Sequence, residues 1–399
     1  MNKATTATRT PGLGVDEAER AELHRYIRHI DRALNRLWNL GRNLVVGWHP
    51  AEAGLRVLVI PHHMLRELAE QDGDLLCDGH RVTHARLDAL GRQLGIEPIQ
   101  VRLPNRPGRP GIAHKAIESV VRRYSVTKSN HRAAILLDIV GFSLYSPLEQ
   151  VTLLNSLAFS INVAQSRALA NKLRIDVSRS TTGDGFYVWN RDEGLEADVN
   201  LFYLMMLVLA DNALARHKGA PSAVPVLRSC FHLGSHYEYY PADGLNPSVT
   251  GFIVGDLTIE LARMVGKALP GQVLIGQFTR PKAGVGGHAG ALSTLAFVSR
   301  AQDRLDQLHA LELSGQRITA IKCYLTGKRI GGGVYSITKY ALSDKHGRQR
   351  NVFNAKVNIY RGDADVLYLG LENKDLERFD AEAAEPRTRA RPGVRASVD

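Results

Sequence analysis

The sequence predicts an α+β fold in which helices pack on a central sheet. After about residue 124, apolar runs typical of buried strands alternate with stretches of helical periodicity. With 44% hydrophobic residues among 399, the chain can bury a sizeable core. We expect a flexible leader over 1–15, a mainly helical extension with a linker over 16–124, a main domain with strand-rich C-terminal extension over 125–379, and a disordered tail over 380–399.

The N-terminal extension begins with an amphipathic helix, predicted over about residues 16–44. Its apolar side chains recur every three or four positions, at Leu23, Tyr26, Ile27, Ile30, Leu34, Leu37 and Trp38. Such a stripe either packs on its own domain or pairs two chains, and the first is favoured. Three prolines and two glycines between residues 99 and 111 predict a linker.

The elements of the main domain follow from the same patterns. Strands are predicted at 133–137, at 186–189 after a glycine-rich turn, near 226–233 and 250–254, and at 273–276. Helices are predicted over 148–173, 195–216 and 256–267. Residues 315–370 indicate further strands, with turns at 331–333 and 344–347.

Composition narrows the cellular setting and the partners. The formal net charge of +11 is spread along the chain, with an excess of five positive charges in 1–124, six in 125–379 and none in 380–399. Without a dense basic block, nucleic acid is an unlikely partner. Three distant cysteines indicate a reducing, cytoplasmic setting. No apolar run approaches the ~20 residues of a membrane span, so we expect no membrane association.

Two aspartates are candidate metal ligands. Asp138 closes the apolar strand at 133–137, and Asp184 lies between Gly183 and Gly185, which permit a tight turn between two strands. Each aspartate alone is more typical of a turn residue. On neighbouring strands, however, the two carboxylates can converge, which is what divalent cations with oxygen ligands require.

A candidate phosphate-binding segment lies between these aspartates. The residues SPLE at 146–149 form a capping box with proline at the first helical position. Gly141, Phe142 and Ser143 therefore come just ahead of a helix N-terminus, where free backbone amides favour phosphate oxygens. Carboxylates for metal beside amides for phosphate predict a nucleoside triphosphate site.

These segments resemble the catalytic domain of the class III nucleotidyl cyclases. The resemblance rests on LLDIVGFS at 136–143, TTGDGFYVW at 181–189, GFIVGDLTIELARM at 251–264 and PGQVLIG at 270–276. It implies that Asp138, Asp184 and the Ile139 carbonyl bind two Mg²⁺ or Mn²⁺ ions, and that Arg263 neutralises the transition state of a cyclisation. It also implies a head-to-tail homodimer that shares its active sites.

The sequence departs from this family where the family reads the purine base. The matching positions here are Ser180, which is too short for the usual contact, and Phe252, which offers no hydrogen bond. Such a pocket would leave purine polar groups unpaired, whereas a one-ring base could still stack. The alternative is that the alignment slips by a residue or that Phe252 points into the core.

A stand-alone bacterial cyclase with a non-purine pocket is similar to the pyrimidine cyclases of Pycsar anti-phage systems. This implies cyclic UMP or cyclic CMP as a second messenger sensed by a separate effector; UTP is favoured over CTP, although Ser180 could serve either base. Two alternatives stay open. One is an adenylate cyclase with atypical base contacts; the other is a nucleotide-binding signalling domain without catalysis, because Ile259 stands where the family commonly places an Asn.

Overall fold

The computed structural model describes residues 17–77, 79–104, 110–219, 223–281, 290–307, 311–331, 334–343, 349–362, 364–379 and 382–384. The predicted leader lies outside these residues, as do the turn at 344–347 and most of the predicted tail. The chain divides into two compact units. The first comprises Met1–Lys128 and Tyr239–Val249, and the second comprises Ser129–Glu238 and Thr250–Asp399.

The helices and strands are numbered in chain order. The helices are α1 (Glu17–Trp38), α2 (Leu65–Gln71), α3 (His84–Leu94), α4 (Pro110–Val121), α5 (Pro147–Ala170), α6 (Leu195–Lys218), α7 (Asp256–Lys267) and α8 (Thr294–Leu305). The strands are β1 (Asn43–Ala51), β2 (Gly54–Pro61), β3 (Ile99–Arg102), β4 (Val126–Ile139), β5 (Val177–Thr181), β6 (Gly185–Asn190), β7 (Leu227–Tyr239), β8 (Ala242–Asp243), β9 (Asn246–Pro247), β10 (Phe252–Val254), β11 (Val273–Gly276), β12 (Thr279–Pro281), β13 (Ala291–Ser293), β14 (Leu311–Leu313), β15 (Gln316–Leu325), β16 (Arg329–Gly331), β17 (Val334–Tyr335), β18 (Lys339–Ser343), β19 (Gln349–Arg361), β20 (Leu367–Gly370) and β21 (Glu382–Ala384).

The first unit contains a three-stranded antiparallel sheet besides its helices. β1 pairs with β2, and β2 pairs with β3. The sheet adds to the mainly helical extension that the sequence predicted. Ile99–Arg102 was expected in a linker but forms β3, because its extended backbone completes the edge of β2. The prolines of the predicted linker follow this strand rather than interrupt it.

Helix α1 packs on the core of the first unit. Tyr26, Ile30, Leu34 and Trp38 are buried among residues that include Trp48 of β1. The apolar stripe therefore packs on its own domain, as favoured from the sequence. The helix ends at Trp38, six residues earlier than predicted, because Asn39 and the two residues after it adopt positive φ angles of 50°, 59° and 89°.

The second unit is built on a mixed sheet of twelve strands in the described residues. Its main path runs β14-β15-β19-β11-β7-β4-β6-β5; β10 pairs with β7, β18 and β20 pair with β19, and β21 pairs with β18. Glu382–Ala384, within the predicted disordered tail, thus forms the strand β21. β11 runs parallel to β7, and β19 is antiparallel to β11.

Both faces of this sheet are covered by helices. Along β4, Ala133, Ile135 and Leu137 pack in the core that contains α5, α6 and α8, whereas Ala134 and Leu136 pack in the core that contains α7. A strand buried on both faces reads as a continuous apolar run, which is why the sequence predicts it so clearly. The structure confirms the α+β class, with a central sheet flanked by helices.

Helix α6 crosses the larger of these cores. By length and composition it could cross a membrane, but 94% of its most apolar window is buried inside the protein. This is how the core helix of a globular domain behaves. It is the single helix of this kind among the described residues.

Candidate active site

Asp138 lies at the end of the central strand β4. The five residues before it are buried, and the register of β4 with β6 places Asp138 opposite Gly185. Asp138 itself is only 6% exposed. Because the strand ends at the next residue, the carboxylate lies where the hydrophobic core meets a loop.

Asp184 occupies the turn between β5 and β6, and this turn fits closely against β4. A Cβ atom on Gly185 would lie 1.9 Å from the carbonyl oxygen of Leu137, so the approach requires glycine. The backbone amide of Ile139 donates a hydrogen bond of 2.9 Å to the carbonyl of Asp184, which holds the turn against the strand end. The structure thereby places the Asp184 carboxylate close enough to Asp138 for its negative charge to raise the pKa of Asp138.

Arg228 is a member of this cluster that the sequence analysis missed. It lies near the start of β7, the strand beside β4, and its Nε and Nη2 atoms lie 2.7 Å and 2.6 Å from Oδ2 of Asp138. A basic residue at a strand start is visible in the sequence. The sequence does not say which strand lies beside β4, so the ion pair could not be predicted.

The single guanidinium of Arg228 does not balance the negative charges of the Asp138 and Asp184 carboxylates. Burial raises the pKa of Asp138, the Arg228 guanidinium opposes that rise, and the neighbouring Asp184 carboxylate raises it again; the net direction is upward. One guanidinium on one oxygen atom leaves further carboxylate lone pairs available. Close carboxylates with unused lone pairs favour a cation between them.

The segment after β4 turns sharply towards α5. Gly141 has a φ of 65°, in the left-handed region, and the residues Phe142–Leu144 form a single 3₁₀ turn. The amides of Leu144 and Tyr145 are used by this turn. Among the described residues, the amides of Phe142 and Ser143 donate no hydrogen bond, so they are available to a ligand.

Helix α5 starts as the sequence predicted. Ser146 is the N-cap residue, Pro147 takes the first helical position, and the Glu149 carboxylate accepts a hydrogen bond of 2.8 Å from the backbone amide of Ser146. This hydrogen-bonding by Ser146 lowers the pKa of Glu149. The cap fixes the direction from which the chain enters the helix, and so fixes the preceding turn.

Arg263 lies on α7, remote in sequence from the two aspartates. The helix packs its apolar face, which includes Leu257, Leu261 and Met264, on the sheet, and Arg263 is half-buried beside that face.

The two candidate base-reading residues lie on strands that contact each other without pairing. Ser180 on β5 is buried, and Phe252 begins β10, which pairs with β7 and contacts β5. Phe252 is 37% exposed, so it does not point into the core, contrary to the alternative left open from the sequence. Ile259, on the first turns of α7, is 45% exposed and lies on the open side of that helix.

The residues present fit a hard divalent cation. Among the described residues there is no group of three or more His, Cys, Asp or Glu side chains placed to hold a metal. A site here would consist of the carboxylates of Asp138 and Asp184 with backbone oxygen, for which the Ile139 carbonyl is the candidate. All-oxygen ligand sets of this kind suit Mg²⁺ or Mn²⁺ rather than zinc.

Known structures similar to this chain are catalytic domains of adenylyl and guanylyl cyclases. The guanylate cyclase domain of RhGC from Catenaria anguillulae, in complex with GTP, is 16% identical, with a TM-score of 0.30, over 41% of this chain and 95% of its own. The adenylyl cyclase CyaB from P. aeruginosa is 13% identical, with a TM-score of 0.31, over 42% and 93%. The guanylyl cyclase Cya2 is 13% identical, with a TM-score of 0.30, over 59% and 94%.

No protein-family model matches the chain, and no curated protein matches its sequence. Identities and scores as low as those above do not transfer an activity from one protein to another. The functional conclusion therefore depends on the geometry of the site.

Proposed function

We propose that this protein is a divalent-cation-dependent nucleotidyl cyclase that converts a pyrimidine nucleoside triphosphate to the 3′,5′-cyclic nucleotide and pyrophosphate. One observation carries the proposal. Two carboxylates from separate strands, Asp138 and Asp184, meet at a strand end directly before a turn with two available backbone amides. This places oxygen ligands for a cation beside donors for phosphate oxygens.

In this proposal Asp138, Asp184 and the Ile139 carbonyl hold two Mg²⁺ or Mn²⁺ ions. When bound, such ions lower the pKa of the ribose 3′-hydroxyl and balance the negative charge of the leaving pyrophosphate. The amides of Phe142 and Ser143 bind triphosphate oxygens. The left-handed backbone of Gly141 fixes the direction in which these two N–H groups point. Ring closure forms a bond from the 3′-oxygen to the α-phosphorus and breaks the bond from that phosphorus to the β-phosphate, while the hydroxyl proton passes to solvent.

Arg263 then acts from a second copy of the chain. The resemblance to the class III cyclases supports a homodimer in which each active site takes Arg263 from one subunit and the aspartates from the other. Exposed apolar side chains near the start of α7, Phe252, Val254 and Ile259, also support a partner surface there. In that position the guanidinium stabilises negative charge that develops on the phosphorus oxygens.

The base-reading residues support a one-ring base. Ser180 has one hydroxyl, which can donate or accept one hydrogen bond, and Phe252 presents an apolar ring on which a base can stack. A purine would leave more polar groups without partners than a pyrimidine would. We favour UTP over CTP as the substrate. The further proposals are a cyclic pyrimidine nucleotide messenger, a separate effector that senses it, and a cytoplasmic role in anti-phage defence.

The direct test is to incubate the purified full chain with ATP, GTP, UTP or CTP and Mn²⁺, and to separate the products by chromatography. We expect cyclic UMP, with cyclic CMP in second place, and loss of product in Asp184→Asn. Asp176→Asn, which changes an exposed aspartate near the start of β5, is the matched control and should keep the activity. Cyclic AMP or cyclic GMP in excess would overturn the base assignment.

A second candidate function rests on Ile259. If the exposed isoleucine on α7 leaves the triphosphate poorly oriented, the domain binds nucleotide and signals without turnover. Equilibrium binding separates the two functions. A chain that binds UTP with Mn²⁺ but forms no cyclic product from any of the four nucleotides is a binding module.

A further inference from the structure

The outward face of α1 carries a row of arginines. We propose that Arg25, Arg28, Arg32 and Arg36 form a docking surface for the phosphodiester backbone of a nucleic acid. We call these four residues the arginine row. This surface belongs to the first unit and is independent of the nucleotide chemistry proposed for the second.

Helical geometry places the arginine row opposite the buried face of α1. At about 100° per residue, the four arginines fall within an arc of about 80°, and the middle of that arc lies nearly opposite the buried stripe that ends at Trp38. All four side chains are exposed. Ala21 falls in the same arc, and His29 lies at its border with its ring turned back onto the carbonyl of Arg25. No acidic residue of the described part of the helix shares the arc.

The arginine row is distinctive because four arginines without an ion pair share one exposed helix face. Other described arginines of this unit form ion pairs with carboxylates, namely Arg56 with Asp88, Arg66 with Glu70, Arg86 with Asp72, and Arg123 with Asp31. Arg42, Arg81, Arg92 and Arg102 form none, but they do not share one helix face. No described carboxylate forms an ion pair with any of the four arginines of the row. Even Asp31, on the same helix, is turned towards Arg123. Four unpaired guanidinium groups on one helix face favour a polyanion.

The spacing and chemistry of the row fit a phosphodiester backbone. Arg28, Arg32 and Arg36 follow one another at about 6 Å along the helix, and the whole row extends over about 16 Å. That length corresponds to about five phosphates of one strand of a duplex at 3.4 Å each. Arginine, the residue type in all four positions, binds phosphate oxygens through two parallel N–H groups.

An anionic membrane is the weaker fit. Helices that bind at a membrane surface bury an apolar face in the lipid boundary. The apolar face of α1 is already buried in the core of its own unit. The arc that contains the arginine row holds only arginine and alanine. On a membrane, this face of α1 would be attracted by charge but would bury no large apolar side chain in the lipid.

The net charge of the sequence does not reveal the clustering of these four arginines. Residues 1–124 carry an excess of only five positive charges, which indicated no basic block. Four of the basic residues nevertheless share one face because their spacing follows the helical period. The spread of charge along the sequence argued against nucleic acid as a partner, and the arginine row gives a specific surface on which that prediction can be tested.

The test is fluorescence anisotropy of short labelled duplex DNA and single-stranded RNA, titrated with the full chain at several salt concentrations. We expect log affinity to fall with log salt at a slope of about −0.9 per phosphate contacted on duplex DNA, and so of about −3 to −4 for four contacts. Changing all four arginines of the row to glutamine should weaken binding at low salt at least about tenfold and flatten the slope towards zero. Glutamine keeps the helix propensity, so circular dichroism should not change.

Arg66→Gln is the matched control, because Arg66 is a helix arginine of the same unit that is 90% exposed but paired with Glu70. It should leave affinity and slope unchanged. The proposal is overturned if the wild-type chain does not bind either probe, or if the four-glutamine variant binds them as well as the wild type. It is also overturned if vesicles containing phosphatidylserine bind the row and the nucleic acids do not.

Discussion

Gly185 decides how closely the two candidate carboxylates approach each other. Its backbone lies so near β4 that an added methyl group would meet the carbonyl oxygen of Leu137 at 1.9 Å. The three atoms nearest to that methyl group are all backbone atoms of Leu137 and Asp138, so no flexible side chain is there to give way. The residue that follows Asp184 is thus constrained by the packing of two strands, and the position of Asp184 follows from it.

We therefore predict that Gly185→Ala destabilises the second unit by about 3 kcal/mol and separates the turn from β4. Urea unfolding measures the loss. The control is Gly266→Ala on α7, where no heavy atom lies within 4 Å of the new methyl group. This exchange should be neutral or stabilise by about 0.5–1 kcal/mol, because alanine favours a helix over glycine. Equal stability of the two variants would contradict the packing argument.

At the scale of elements, α4 is joined to β1 through the carboxylate of Glu118. The Trp48 indole donates a hydrogen bond of 2.7 Å to Oε2, and the backbone amide of His80 donates one of 2.9 Å to Oε1. Burial raises the pKa of Glu118, but the hydrogen bonds and charge of His80, together with the Trp48 bond, outweigh it and lower the pKa to about 2. A carboxylate so stabilised contributes to folding only while it is ionised.

The sign of the resulting pH dependence follows from this lowered pKa. The contribution is complete above about pH 4.5, the ordinary pKa, and is lost as the pH falls towards 2. Near neutral pH it amounts to about 3 kcal/mol. Glu118→Gln, which keeps an acceptor for Trp48, should lower the exchange protection of β1 and α4 amides by up to that amount. Near pH 3 the difference from wild type should fall below half.

Hydrogen–deuterium exchange of peptides from β1 and α4 measures this difference. Glu70→Gln is the control, since Glu70 forms only an exposed ion pair with Arg66 and should change protection by less than about 0.5 kcal/mol. A difference between Glu118→Gln and wild type that does not depend on pH would show that the charge of Glu118 does not stabilise the unit.

Elements with a clear apolar pattern and flanking glycines were predictable from the sequence, and the short edge strand β3 was not. The bounds of α7 and β11 agree with prediction at both ends, because apolar periodicity and flanking glycines mark them. By contrast, β3 is short, mostly exposed and followed by prolines, so its pattern is that of a linker. Only pairing with β2 makes it a strand.

The same limit applies to the candidate site. Asp138 and Asp184 could be proposed from sequence because each lies beside a glycine-rich turn or a strand end. Arg228 could not, because its partner is fixed by the order of β7 and β4 in the sheet, and strand order depends on contacts far apart in sequence. Site residues that a local sequence pattern marks could thus be predicted, whereas a site residue that depends on which strands pair could not.

For the whole molecule, the proposal that each active site takes residues from two subunits leads to a separate prediction. Arg263→Ala and Asp138→Ala should each lower turnover by about a hundredfold or more. If the active sites are shared, mixing the two inactive variants creates one intact site in each mixed dimer. Activity should then recover in the mixture, and sedimentation should show dimers in each sample. Dimers that form without any recovery would contradict shared sites.

The measurement that tests the central claim most directly is the binding of Mn²⁺, followed by electron paramagnetic resonance in the presence of a non-cyclisable UTP analogue. We predict two ions bound per chain in the wild type and in Asp176→Asn, and a loss of both in Asp138→Asn and Asp184→Asn. If either of the last two variants binds Mn²⁺ as the wild type does, the two carboxylates do not form a metal site, and the proposed chemistry is wrong.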